Sequence, residues 1–145
     1  MSDLTSRRQL LMYVLAPAAL APLVGCAAVS AETGRQELIQ RAKDYWEHMR
    51  ANDRLSAWKY EAASKDKSLT LEGYLKRGGI VYESVDVRSV LRLEGDEAEL
   101  DVKLRYAVPA VRLKGQDAAV RDRWIRVDGE WFHVLPRNPL FGTAA

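Results

Sequence analysis

Apolar residues first recur at helical spacing after Gly34. Leu38, Ile39, Ala42, Tyr45, Trp46 and Met49 lie three or four positions apart, while Asp44, Glu47 and Arg50 fall off that stripe. Asn52-Asp53 interrupts the pattern. Asp53 then stands where an N-cap belongs, ahead of Leu55, Ala57, Trp58 and Ala62. The spacing predicts two helices, over 35–51 and 54–64, joined by a tight turn. After a polar loop at 65–68, a third short helix is expected over 69–77. Thr70 would cap it, Leu71, Tyr74 and Leu75 would face inward, and Gly78-Gly79 would end it.

Beyond the two glycines the period changes from helical to two. Residues 80–93 read as a long strand with Val85, Val87, Leu91 and Leu93 on one face, and Val90 beside Leu91 suggests a bulge or a stretch buried on both faces. A turn at Glu94-Gly95-Asp96 follows. Ala98, Leu100, Val102, Leu104 and Tyr106 then alternate with Glu99, Asp101, Lys103 and Arg105, the pattern of a strand with one dry and one wet face. Pro109 and a turn at Lys114-Gly115-Gln116-Asp117 should separate it from a strand over 120–127. Asp128-Gly129 is a two-residue hairpin turn leading to a last strand over 130–135. Helices come first and antiparallel strands after, so the fold class is α+β, with N-terminal helices packed on a bent antiparallel sheet.

Ahead of this domain the pattern is different. Arg7 and Arg8 precede an apolar run, Leu10 to Val24, interrupted by Pro17 and Pro22 and ending at Cys26, the chain's single cysteine. A run of about 15 residues is short of the roughly 20 that span a bilayer, and its three-part layout is that of an export signal. Leu23-Val24-Gly25-Cys26 resembles the lipobox of bacterial lipoproteins. That resemblance implies cleavage between Gly25 and Cys26 and acylation of the Cys26 thiol, so that membrane lipid becomes a partner of the chain. Two or more acyl chains hold a protein on a membrane stably. Ser6-Arg7-Arg8-Gln9-Leu10-Leu11 is similar to the twin-arginine export motif, and equally reads as two ordinary basic residues of a general export signal. Ala27 follows the cysteine in place of an inner-membrane retention Asp, which leans toward an outer-membrane lipoprotein facing the periplasm.

The organisation expected is thus a signal peptide at 1–25, a lipidated tether at 26–35, one domain at 36–136 and a loose tail at 137–145. The chain of 145 residues carries a net charge of +2, and loss of Arg7, Arg8 and Asp3 with the signal leaves it near neutral. So balanced a charge leaves no global footprint for nucleic acid. One cysteine permits no internal disulfide, so packing must supply the stability.

The stretches 42–61 (AKDYWEHMRANDRLSAWKYE) and 127–135 (VDGEWFHVL), set in this element order, resemble the nuclear-transport-factor-2-like superfamily. The resemblance implies a long first helix, an Asp-containing turn and a sheet curled into a cone around a pocket. It leaves activity open, because the fold hosts enzymes and inert binding domains alike. Pocket enzymes of that superfamily use an Asp or a His–Asp pair.

Only two histidines are available here. His48 reads as a solvated helix residue. His133 shares a strand face with Trp131 and reads as an edge or surface histidine. Were that face to line a cone, His133 could meet Asp101, Asp122 or Asp86 and act as a base. Asp53 reads as a cap. Trp58 and Trp131 are the candidates for a pocket wall. Arg121, Arg123 and Arg126 form a candidate basic patch for an anionic surface, or else a solvated strand face. Two isolated histidines and an acylated cysteine make no metal site, and no cofactor is implied. The expected role is a non-catalytic envelope lipoprotein binding a protein partner or a small ligand. The alternative is a lipid-anchored isomerase or dehydratase using His133 with an aspartate.

Overall fold

The computed structural model describes residues 25–137, with side-chain environments from residue 31 onward. Helix α1 (Gly25–Arg50) leads into three short helical segments: α2 (Arg54–Ala57), α3 (Ala63–Asp66) and α4 (Leu71–Lys76). Four strands follow, β1 (Val81–Glu94), β2 (Glu97–Val108), β3 (Leu113–Val127) and β4 (Glu130–His133), in one antiparallel sheet of order β1-β2-β3-β4. The expected α+β class holds, and the helices pack on the sheet. The signal expected over 1–25, apart from Gly25, and the tail expected over 137–145, apart from Arg137, lie outside the described residues.

The apolar stripe of α1 is buried as its spacing requires. Leu38, Ala42, Tyr45, Trp46 and Met49 join Ala98, Leu100, Val102, Leu104, Trp124 and Trp131 in one core. The sheet supplies this face in register, with Val87 opposite Val102, Val90 opposite Leu100, and Leu93 opposite Ala98. Asp53 caps α2 by accepting from the Ser56 amide at 3.1 Å, and Thr70 caps α4 by accepting from Gly73 at 3.1 Å.

Several expectations are corrected. The segment expected as a tether continues α1 back to Gly25; Ala27, Ala28 and Ala31 favour helix. The second helix stops short. A 3-10 turn over Trp58–Tyr60 follows α2, and Glu61 then leaves helical geometry (φ −80°, ψ 133°) to form a parallel bridge with His133. Leu75, expected inward, is exposed, as is Leu55 at the start of α2. In β1 the register slips between Val87 and Ser89 and again between Val90 and Arg92. The slips turn Val90 inward and leave Leu91 53% exposed. The turn expected at 114–117 lies earlier. Pro109, which has no N–H for the ladder, opens a 3-10 turn closed by Arg112 at φ 56°, and 114–117 belongs to β3, where Gly115 (φ 59°) marks an irregularity in the β2–β3 register rather than a turn. Asp128 (φ 51°) and Gly129 (φ 84°) both take positive φ, as a type I′ hairpin turn demands.

Candidate functional site

The departure of Glu61 from helix and the short strand β4 bring three ionisable side chains together beneath α1. Along β3 and β4, period two puts Asp122, Trp124, Trp131 and His133 on the inner face. His133 Nδ1 lies 2.9 Å from Glu61 Oε2, and His133 Nε2 lies 2.9 Å from Asp122 Oδ1. The side chains of His133, Glu61 and Asp122 are 5%, 0% and 3% exposed. His133 is therefore a core residue, not the edge or surface histidine that its place in the sequence suggested.

The carboxylates have further partners. Tyr45 Oη donates to Glu61 Oε1 at 2.8 Å. The indole N–H groups of Trp46 and Trp124 both donate to Asp122 Oδ2, at 2.9 and 2.8 Å. The Tyr45 ring stacks on the imidazole at 4.4 Å, and the Trp124 and Trp46 rings meet it edge-on. Burial by itself pushes the His133 pKa down. The charges of Glu61 and Asp122 and the hydrogen bonds to both outweigh that and raise it to about 10. At neutral pH the ring is an imidazolium donating from both nitrogens. Burial, with Glu61 beside it, drives the Tyr45 hydroxyl well above its ordinary range, so it stays a neutral donor.

This arrangement holds charge rather than exposing it. A general base needs a free ring nitrogen within reach of a substrate proton, and both nitrogens of His133 are committed. Of the carboxylates considered as partners for His133, Asp122 is brought to it. Asp101 lies on the outer face paired with Arg88 at 3.2 Å, and Asp86 is exposed. Glu61 is the member that the sequence reading missed. It was expected within a helix, although a lone carboxylate between Tyr60 and Ala62-Ala63 was a signal that its surroundings would be apolar.

The other candidates separate. Trp131 is buried, its ring lies under the Arg126 guanidinium at 4.4 Å, and its indole N–H has no hydrogen-bond partner among the described residues. Trp58 is half-buried beside Tyr74. Arg126 does not join Arg121 and Arg123. Its place in the β3 alternation turns it to the inner face with Trp131, whereas Arg121 and Arg123 are exposed on the outer one. There they stand opposite Asp101 and Glu99 in the β2 register. Arg92 reaches Glu94, Glu97 and Glu99, and Arg105 reaches Glu83 and Asp117. The outer face is a lattice of opposite charges rather than a basic patch. His48 is half-buried, with Nδ1 3.5 Å from Asp53. The side chain of Cys26 lies outside the described environments. Among the described residues, no group of His, Cys, Asp and Glu is disposed to hold a metal, and no helix is long and apolar enough to cross a membrane.

A second constellation lies at the β4 edge. Arg41 of α1, Lys59 and Tyr60 of the 3-10 turn, Lys65 of α3, and Glu130 and Phe132 of β4 line a groove of about 390 Å³.

No family model and no curated protein matches the chain. Among solved structures, the chain is similar to a Campylobacter jejuni protein described as an NTF2-like transpeptidase. The identity is 15% over 65% of this chain and 94% of that one, with a TM-score of 0.44.

Proposed function

We propose that this chain is an envelope lipoprotein, anchored through an acylated Cys26, whose folded domain binds a partner or ligand and performs no catalysis. The anchor is supported by Leu23-Val24-Gly25-Cys26 at the end of an apolar run behind Arg7 and Arg8. The absence of catalysis is supported by one observation above the rest. Among the described residues, the one histidine within hydrogen-bond reach of two carboxylates has both nitrogens engaged and is sealed in the core.

The competing reading is a pocket enzyme with His133 as base and Asp122 as its orienter. The 2.9 Å contact between them would serve that role. However, a base saturated by a second carboxylate and lacking solvent access has nothing to offer a substrate.

Two measurements test the proposal. Mass spectrometry of the membrane-extracted protein should find a diacylglyceryl-modified N-terminal Cys26, and Cys26→Ala should leave the chain unprocessed or release it from the membrane. An unmodified thiol on a chain that retains its starting methionine rules the anchor out. In the folded protein, diethylpyrocarbonate should leave His133 unmodified while His48 reacts. Rapid modification of His133 would restore the enzyme reading.

A further inference from the structure

The groove at the β4 edge gathers three cations and one carboxylate. Arg41 Nε donates to the Trp131 carbonyl, and the Arg41 guanidinium lies over Tyr60 at 4.9 Å and over Phe132 at 5.1 Å. The Lys59 ammonium sits over the Tyr60 ring at 5.2 Å, and the Lys65 ammonium over the Phe132 ring at 5.0 Å. Tyr60 and Phe132 are themselves buried, so the platforms under the cations are fixed.

The partners that position these cations are uncharged. A carbonyl and two ring faces orient a guanidinium and two ammoniums without cancelling their charge, whereas a carboxylate would cancel it. The sheet's outer face is the contrast, because most of its arginines meet an acid there. In the groove the only ion pair among the described residues is Arg41 with Glu130, at 3.9 Å, and Glu130 is 61% exposed at the rim. About two positive charges therefore remain uncompensated around a concavity large enough for a small ligand.

We infer that this groove binds a phosphate group carrying two negative charges. A guanidinium offers a planar fork and the ammoniums two mobile point donors, a set suited to phosphate oxygens. The site names the ligand chemistry for the binding role proposed above, and it does not depend on the anchor. The phosphate belongs either to a lipid headgroup or to a soluble phosphate ester, and the test separates the two.

The full chain is titrated with inorganic phosphate while the ring resonances of Tyr60 and Phe132 are followed by NMR. Saturable shifts are expected. Lys59→Gln with Lys65→Gln should weaken binding about tenfold. Both lysines are exposed, so the fold should tolerate the change. Glu130→Gln removes the opposing carboxylate and should tighten binding about threefold. A gain of this kind cannot come from damage to the fold. Failure of the wild-type resonances to saturate by about 30 mM phosphate overturns the site, as does equal binding by all three proteins. Cys26→Ala should bind phosphate like the wild type, so loss of the anchor and loss of the site are read separately. Phosphatidylcholine vesicles with and without phosphatidic acid then identify the source. A Tyr60 shift that needs phosphatidic acid and both lysines assigns a headgroup. Phosphate binding without that shift assigns a soluble ester.

Discussion

His133 keeps its charge where charge is costly to hold, and two carboxylates make this possible. Its folded pKa, about 10, lies above its ordinary 6.5. A raised histidine pKa gives stability that is full below about pH 6.5 and is lost as pH climbs through 10. Unfolding free energy measured by denaturant titration should therefore fall steadily from neutral pH to pH 10, and the imidazole should remain protonated by NMR at pH 7.5. A flat profile across that range would mean a neutral ring. Removing either carboxylate should be expensive, because one nitrogen of the buried imidazolium then loses its ionic acceptor, and the Tyr45 hydroxyl (for Glu61) or the two indole N–H groups (for Asp122) lose a charged one. Glu61→Gln and Asp122→Asn should each cost about 3 kcal/mol in the same assay. Replacing the whole triad with apolar residues would still strand the Tyr45 hydroxyl and two indole N–H groups, each of which would lose its acceptor.

At the scale of elements, the long strand β1 shows how two register slips decide which side chains are dry. Strict alternation from Val85 and Val87 points to Leu91, but each slip inserts one residue, and Val90 takes the inner place opposite Leu100. Leu91→Ser should accordingly change stability by less than about 0.5 kcal/mol. Leu100→Ala should cost about 2–5 kcal/mol, because it empties a site with no solvent exposure. Comparable losses for both would place Leu91 in the core and remove the first slip, between Val87 and Ser89. The same contrast explains what was legible in advance. The stripe of α1, the alternation of β2, both side-chain caps and the Asp128-Gly129 turn each follow from residues within a few positions of one another. Where a distant strand decides, local pattern fails. Glu61 leaves its helix because its backbone bridges His133, and Ala62 N–H donates to the His133 carbonyl at 2.9 Å. Two of the three charged members, Asp122 and His133, were therefore readable in the β3 and β4 periodicity, and the third, Glu61, was not.

Over the whole molecule, the two ends of α1 have different work. From Leu38 onward the helix is nailed to the sheet by its apolar stripe, whereas between Ala31 and Glu37 only Gly34 is even half-buried, under the Arg126 guanidinium. Helical segments hold mainly through packing rather than propensity, so the first turns add length but little cohesion. If Cys26 carries lipid, the distance from anchor to core is the 12 residues to Leu38. These would span about 18 Å as a helix and considerably more if extended. The spacing of the domain from the bilayer is then set by a segment whose helix can be broken without disturbing the core. Ala31→Pro removes a helical hydrogen bond and clashes one turn back. It should lower the far-ultraviolet circular dichroism of helix while moving the unfolding free energy by less than about 0.5 kcal/mol. A loss of 3 kcal/mol or more would show instead that the early turns belong to the folded core and that α1 is one rigid unit from end to end.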